Sequence, residues 1–449
     1  GASARAAGPA GELGGGVEKI WLDGKAETTL DRSTAQIGAP EAWAAGFEGK
    51  GATVAVLDTG IDATHPDVAD QVDEAQSFVP GEEATSDVQG HGTHVASTVL
   101  GTGAASEGLY KGVAPGADLL VGKVLDNAGY GQDSWIIAGM EWGAANADIV
   151  SMSLGDSSLN DGTDPMAQAL NALSEETGAL FVVAAGNSYA EGSIGSPGTA
   201  DAALTVGAVD DGDVRADFSS YGPRIGDHAI KPDLTAPGVD ILAARSQQSS
   251  GTGWYRSMDG TSMATPHVAG AAAILKGAHP DLTGEQLKNA LVSSAADIDA
   301  PAYEVGTGRL DVPAALDGVD GSGDGFLGFY GWPHDGDEPA NGTVTYTNST
   351  DADVTLALST DVVGPDGTAS DLVSLSADEL LGGGPGVGLD DLDVATLPQL
   401  GEHGRGRLVL VVASEGDPHG AEPTAVLRRA SPVRRVRSAS RWAGPSSWW

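Results

Sequence analysis

The chain has 449 residues, 41% hydrophobic and 19% charged; this is long for one domain, comfortable for two, and apolar enough to exclude wholesale disorder. Its 23 Lys and Arg against 63 Asp and Glu give a formal net charge of -40, which excludes a nucleic-acid binder working through a basic face and favours calcium or basic ligands as partners. With 0 cysteines there is no disulfide frame, thiolate metal site or cysteine nucleophile, and no run of about 18 apolar residues predicts a membrane-spanning helix. No signal peptide is visible at Gly1, so any secretory signal is expected to have been removed or left out.

Residues 1–18 are rich in Gly and Ala and predict a flexible tail; 17–22 (VEKIWL) reads as a short strand closed by an Asp23-Gly24 turn. From 37 to 316, short buried runs alternate with helical stretches, the pattern of a parallel sheet covered by helices and hence of an α/β fold. Strands are predicted over 53–57, 118–124, 149–152, 180–184 and 204–209, and helices over 91–100, 134–146, 165–176, 265–277 and 283–294. A Gly- and Asp-rich linker is predicted at 319–325. Alternation in 343–348 and 354–359 predicts strands of a β-rich accessory segment spanning 326–427, read as truncated. Eight of the 15 Arg lie after position 400, and 428–449 is expected to be a disordered Arg-rich tail. The change in composition near residue 380 has two readings, a frameshifted end to a longer β-rich domain or a natural basic tail.

Three segments carry chemistry. In 54–62 (VAVLDTGID) a hydrophobic strand runs into Asp58 and a glycine turn follows; the carboxyl ends of parallel strands are where α/β sheets build sites. In 90–97 (GHGTHVAS) His91 opens a helix between two glycines, which allow close approach of a substrate or partner group. His94 follows at i+3, but the pair lacks a third ligand and a general-base Glu, so a metal reading is weak. In 259–270 (DGTSMATPHVAG) Ser262 lies in a turn before an apolar helix, with Pro266 read as part of the first helical turn. A serine hydroxyl is a poor nucleophile alone. It needs a base, a carboxylate to orient that base, and donors for an oxyanion. Asp58, His91 and Ser262 supply orienting carboxylate, base and nucleophile, in chain order Asp, His, Ser.

Together these motifs and their order resemble the subtilisin-type serine protease family, over roughly residues 37 to 316. The resemblance implies a three-layer sandwich around a mostly parallel sheet, a catalytic unit at 31–318, and a catalytic triad of Asp58, His91 and Ser262. It places the oxyanion-hole asparagine at Asn187 in FVVAAGN. Substrate-binding walls fall at Ser151, Met152, Ser153, Leu154 and Gly155, and at Ala184, Ala185 and Gly186. Gly195 is implied as the floor of the first specificity pocket, leaving room for a large apolar P1 side chain. Gly129, Tyr130 and Gly131 would form an edge that pairs with extended substrate, giving broad specificity. The implied function is a secreted, extracellular serine endopeptidase acting on proteins and peptides. It would be a monomer, with no nucleic-acid or membrane partner and with proteinaceous subtilisin inhibitors as further partners. The Gly- and Ala-rich composition is similar to large secreted subtilisins of high-GC Gram-positive bacteria such as Streptomyces.

No cofactor is required for such chemistry. A structural calcium ion is implied by the family, but 101–112 (GTGAASEGLYKG) lacks the asparagine of the family's calcium loop; only Asp67 in HPD matches an acidic position nearby, and the site stays unknown. Asp156, Asp161 and Asp164 read as solvated loop carboxylates, or as groups drawing basic side chains into the cleft. Residues 1–30 read as a propeptide remnant with self-cleavage near Leu30–Asp31, or as a plain extension. Two other classes are a catalytically silent protease-like binding protein and an adhesion module after residue 325.

Overall fold

The computed structural model describes residues 30–316 and nine strands beyond them. The first part holds helices α1 (Leu30–Gln36), α2 (Ala39–Ala44), α3 (His91–Leu100), α4 (Asp133–Asn146), α5 (Pro165–Thr177), α6 (Thr261–Ala278) and α7 (Gly284–Ser293). Its strands are β1 (Thr53–Asp58), β2 (Val72–Ser77), β3 (Asp118–Lys123), β4 (Ile149–Met152), β5 (Leu180–Ala184), β6 (Leu204–Val209) and β7 (Leu234–Pro237), with β8 (Ile241–Ala244) and β9 (Tyr255–Met258) forming a separate antiparallel pair. The first seven make one sheet in the order β2-β3-β1-β4-β5-β6-β7, and every pairing in it is parallel. Among the described residues no helix is long and apolar enough to cross a membrane.

The two-residue period of a strand sorts its side chains between two cores. Val54 and Val56 join α3, α6 and α7 through Val95, Val99, Val268, Ala272 and Leu291. Ala55 and Leu57 face the other way, onto Ile136 and Met140 of α4 and Met166 and Leu170 of α5. Helices on both faces make the expected three layers. The same alternation carries Asp58 to the side of Val54 and Val56, where α3 and α6 begin.

Local signals explain most boundaries. Asp164 caps α5 by accepting from the backbone N–H groups of Met166 and Ala167, Pro165 sits at its start, and Gly178 closes it in the left-handed conformation. Thr283 and Gln286 form a reciprocal capping box at the start of α7. One boundary differs from expectation. The helix predicted over 265–277 begins at Thr261, so Pro266 lies inside α6 rather than in its first turn. Proline there removes a donor to the carbonyl four residues back, that of Ser262. The carbonyl is satisfied instead by the Ser153 hydroxyl at 2.8 Å.

The later strands are β10 (Val319–Ser322), β11 (Phe326–Tyr330), β12 (Gly342–Asn348), β13 (Val354–Val363), β14 (Ser374–Leu375), β15 (Glu379–Gly382), β16 (Leu392–Ala395), β17 (Val411–Ser414) and β18 (Thr424–Arg429). The segment expected as a linker therefore opens with a strand: β10 pairs antiparallel with β12, and the Gly321 N–H donates to the Ser293 hydroxyl of α7 at 3.2 Å. The start of the expected Arg-rich tail, residues 428 and 429, ends β18. The predicted strand at 17–22 lies outside the described residues. The Leu30–Asp31 bond, the expected self-cleavage point, lies at the start of α1.

Candidate active site

Asp58 ends β1 and its side chain is buried. His91 opens α3, and its Nδ1 lies 2.8 Å from Asp58 Oδ1 and 3.0 Å from Oδ2. The Thr59 backbone N–H donates to Asp58 Oδ1 at 2.7 Å, fixing the carboxylate. A carboxylate on Nδ1 sets the tautomer and leaves Nε2 bare. The His91 side chain is 16% exposed. Burial lowers its pKa, but the Asp58 charge and hydrogen bond, helped by the nearby Asp87 charge, outweigh burial and Arg256 and hold it above the ordinary 6.5. The glycine after His91 serves packing rather than substrate approach: a Cβ on Gly92 would overlap the Gly60 carbonyl.

Ser262 is the second residue of α6. Its hydroxyl donates to the Ser153 carbonyl at 3.1 Å. Asn187 follows β5, and its Oδ1 accepts from the Thr261 N–H at 3.0 Å and the Thr261 hydroxyl at 3.2 Å. Because an N–H can only donate, these contacts identify Oδ1 and turn Nδ2 outward. Gly260, at φ 150° and ψ 158°, joins these parts. A Cβ placed there would stand 3.6 Å from the Ser262 backbone nitrogen and 3.7 Å from Asn187 Nδ2, so two N–H donors border one space that a side chain would crowd.

Ser151 and Met152 end β4 and Ser153 to Gly155 run on from it; Ala184 ends the neighbouring β5 and Ala185 and Gly186 run on from that. The expected walls thus leave adjacent parallel strands at their carboxyl ends. Gly195 is buried against the first wall, where the Asp156 N–H donates to the Ser196 carbonyl at 2.9 Å and a Cβ on Gly195 would overlap the Asp156 carbonyl. Gly129, Tyr130 and Gly131 lie in the loop before α4, with Tyr130 75% exposed.

Other expectations resolve differently. Asp67 has both carboxylate oxygens engaged, Oδ1 by the Ala105 N–H at 2.8 Å and Oδ2 by the Tyr255 hydroxyl at 2.8 Å. That donor set leaves Asp67 a poor fit for calcium, and among the described residues no group of three His, Cys, Asp or Glu could hold a metal. His94 is a core residue: its Nε2 donates to the Ile241 carbonyl at 3.0 Å and the Arg256 carbonyl at 3.2 Å. Of the three loop carboxylates, Asp164 caps α5 and accepts from the Ser196 hydroxyl at 2.6 Å. Asp156 accepts from the Ser196 N–H at 3.1 Å and Asp161 from the Thr163 hydroxyl at 2.6 Å. Sequence reasoning passed over Thr59 and Asp87, which lie behind His91. The one signal was the Asp-to-Gly spacing at 87–90 before the helix, which reads as an ordinary turn.

Comparison with known proteins fixes the family. The model of the subtilase family of peptidases matches residues 49–332. The chain belongs to the subtilase family. It is 40% identical over 283 residues to subtilisin DY of Bacillus licheniformis, covering 62% of this chain and 96% of that one. It is also 40% identical over 281 residues to subtilisin Savinase of Lederbergia lenta, again covering 62% and 96%. A solved structure of a cold-adapted subtilisin-like serine proteinase is 33% identical with a TM-score of 0.50, covering 59% of this chain and 90% of that one. This subtilase is a serine endopeptidase, which sets aside the silent-binder reading, and its chemistry requires no cofactor.

Proposed function

We propose that this subtilase cleaves proteins through an acyl-enzyme on Ser262, with His91 as base and Asp58 as its orienting carboxylate. The observation that carries the reading is the Asp58–His91 contact at 2.8 Å, on the same side of the sheet as the start of α6. A hydroxyl has one proton, so Ser262 first leaves the Ser153 carbonyl and turns to His91 Nε2. His91 takes that proton as Oγ attacks the peptide carbonyl carbon. Asp58 steadies the imidazolium, and Asn187 Nδ2 with the Ser262 N–H holds the oxyanion. His91 then protonates the leaving amine, and water, deprotonated by His91, hydrolyses the ester to release acid and regenerate serine.

The substrate lies extended between Gly129–Tyr130–Gly131 and Ser151 to Gly155, and backbone pairing makes its selectivity broad. A large apolar P1 side chain lies between the 151–155 wall and Ala184 to Gly186, with Gly195 below. The enzyme works outside the cell as a monomer, with 31–318 as the catalytic unit and 326–427 as a β-rich accessory, and proteinaceous subtilisin inhibitors are further partners. Its Asp67 corner is held without calcium. Hydrolysis of a chymotrypsin-type chromogenic peptide tests the reading: Ser262→Ala and a serine-directed covalent inhibitor should each abolish it. Activity surviving in Ser262→Ala would remove the assignment.

A further inference from the structure

A second carboxylate lies behind His91. Asp87 is completely buried. Its Oδ1 accepts from the Gly90 N–H at 2.7 Å and from the Thr59 hydroxyl at 2.8 Å. Its Oδ2 accepts from the Thr93 N–H at 2.8 Å and the Thr93 hydroxyl at 2.6 Å. Thr59 Oγ1 in turn accepts from the Gly92 N–H at 2.9 Å, and the Thr59 N–H holds Asp58 Oδ1. The backbone on both sides of His91 is therefore bound to two side chains, and one of them is the neighbour of Asp58. The Asp87 carbonyl also accepts from the Ser246 hydroxyl at 2.6 Å, which anchors the loop from the far side. Gly90 offers no side chain to cap α3, so Asp87 supplies the acceptor and the negative charge that a helix start favours.

We infer that Asp87, acting with Thr59, is a positioning residue for peptide hydrolysis: it ties the backbone flanking His91 to the end of β1 and so keeps the imidazole on the Asp58 carboxylate. A carboxylate that only capped α3 would affect stability alone. Asp87 is also close enough to act on the charge of His91. The charged groups facing that ring are Asp58 and Asp87, which favour the imidazolium, and Arg256, which opposes it; His94 is the neighbouring imidazole.

This inference rests on the proposed function with His91 as base, and His91→Ala, which should abolish hydrolysis, tests that role separately. The test is steady-state hydrolysis by the full-length enzyme carrying Asp87→Asn or Thr59→Val, with folding checked by circular dichroism. Both variants should lower kcat at least about tenfold and leave KM within about twofold, because misplacement acts on the transition state rather than on binding. Asp87→Asn should also move the acid limb of the kcat/KM profile to lower pH, whereas Thr59→Val, which removes no charge, should leave the limb in place. A folded Asp87→Asn enzyme with wild-type kcat and an unmoved limb would overturn the inference while His91→Ala stayed inactive. If Asp87→Asn does not fold, Thr59→Val decides: wild-type kcat there overturns it.

Discussion

An imidazole that donates through Nδ1 can take a proton only at Nε2 and only while neutral. His91 is held above the ordinary 6.5 by Asp58 and Asp87 against burial, so the sign is fixed: kcat/KM should fall as pH drops through a value above 6.5, and a profile flat from neutrality to pH 5 would contradict it. At the proposed oxyanion hole, Asn187→Ala removes one of the two donors assigned there. Its kcat should drop by about 10²–10³-fold, the magnitude known for that donor in subtilisin, the standard example of the effect. The proposed triad could be named from sequence because its members lie in three short motifs, VAVLDTGID, GHGTHVAS and DGTSMATPHVAG, and the first two members come within 2.8 Å of each other. Asp87 could not, since nothing local separates a buried carboxylate with four donors from an exposed turn residue.

Helix α6 shows why element boundaries were harder to read than elements. Pro266 signals a helix start in sequence, yet here the helix continues back through Ser262 because Ser153 supplies the missing donor. Ser153→Ala should leave that carbonyl short of a partner and cost about 1–3 kcal/mol, measured by urea unfolding. The strands with continuous apolar runs were predicted nearly to the residue; β2 (VDEAQS), half exposed at the sheet edge, and β7 (LTAP), four residues ending in proline, carry no such run. Two buried histidines tie elements together. His94 joins α3 to β8 and β9, and His267 joins α6 to α1 through the Ser33 hydroxyl at 2.8 Å. Burial lowers their pKa values to about 3 and about 4. The unfolded chain binds these protons near pH 6.5 and the folded chain does not. Stability should therefore fall as pH drops below 6.5, by about 1.4 kcal/mol per pH unit for each histidine until its folded pKa is reached. Urea midpoints equal at pH 7 and pH 5 would contradict this.

The whole molecule carries a net charge of -40 with only 8 Lys and 15 Arg. Such a surface repels itself, and salt relieves the repulsion by shortening the screening length from about 10 Å at 0.1 M to about 3 Å at 1 M. Thermal unfolding should shift upward between those concentrations; an unchanged or lower Tm would show that repulsion is not limiting. The same field should make KM for a lysine-rich peptide rise with salt while KM for a neutral peptide stays level. Asp156→Asn should weaken cleavage after Lys or Arg relative to Leu if the loop carboxylates contribute locally.

Ser262 stands 171 residues after His91 on a helix laid across five strands of the sheet. A ribosome releases Asp58 and His91 long before it reaches Ser262, and the sheet cannot close over its central helix until β7 and α6 have both emerged. On the proposed assignment, the nascent chain therefore holds carboxylate and base before it has a nucleophile. On the proposed chemistry, the chain gains the power to cut only once α6 is made, so its timing is set by where one helix falls in the order of synthesis.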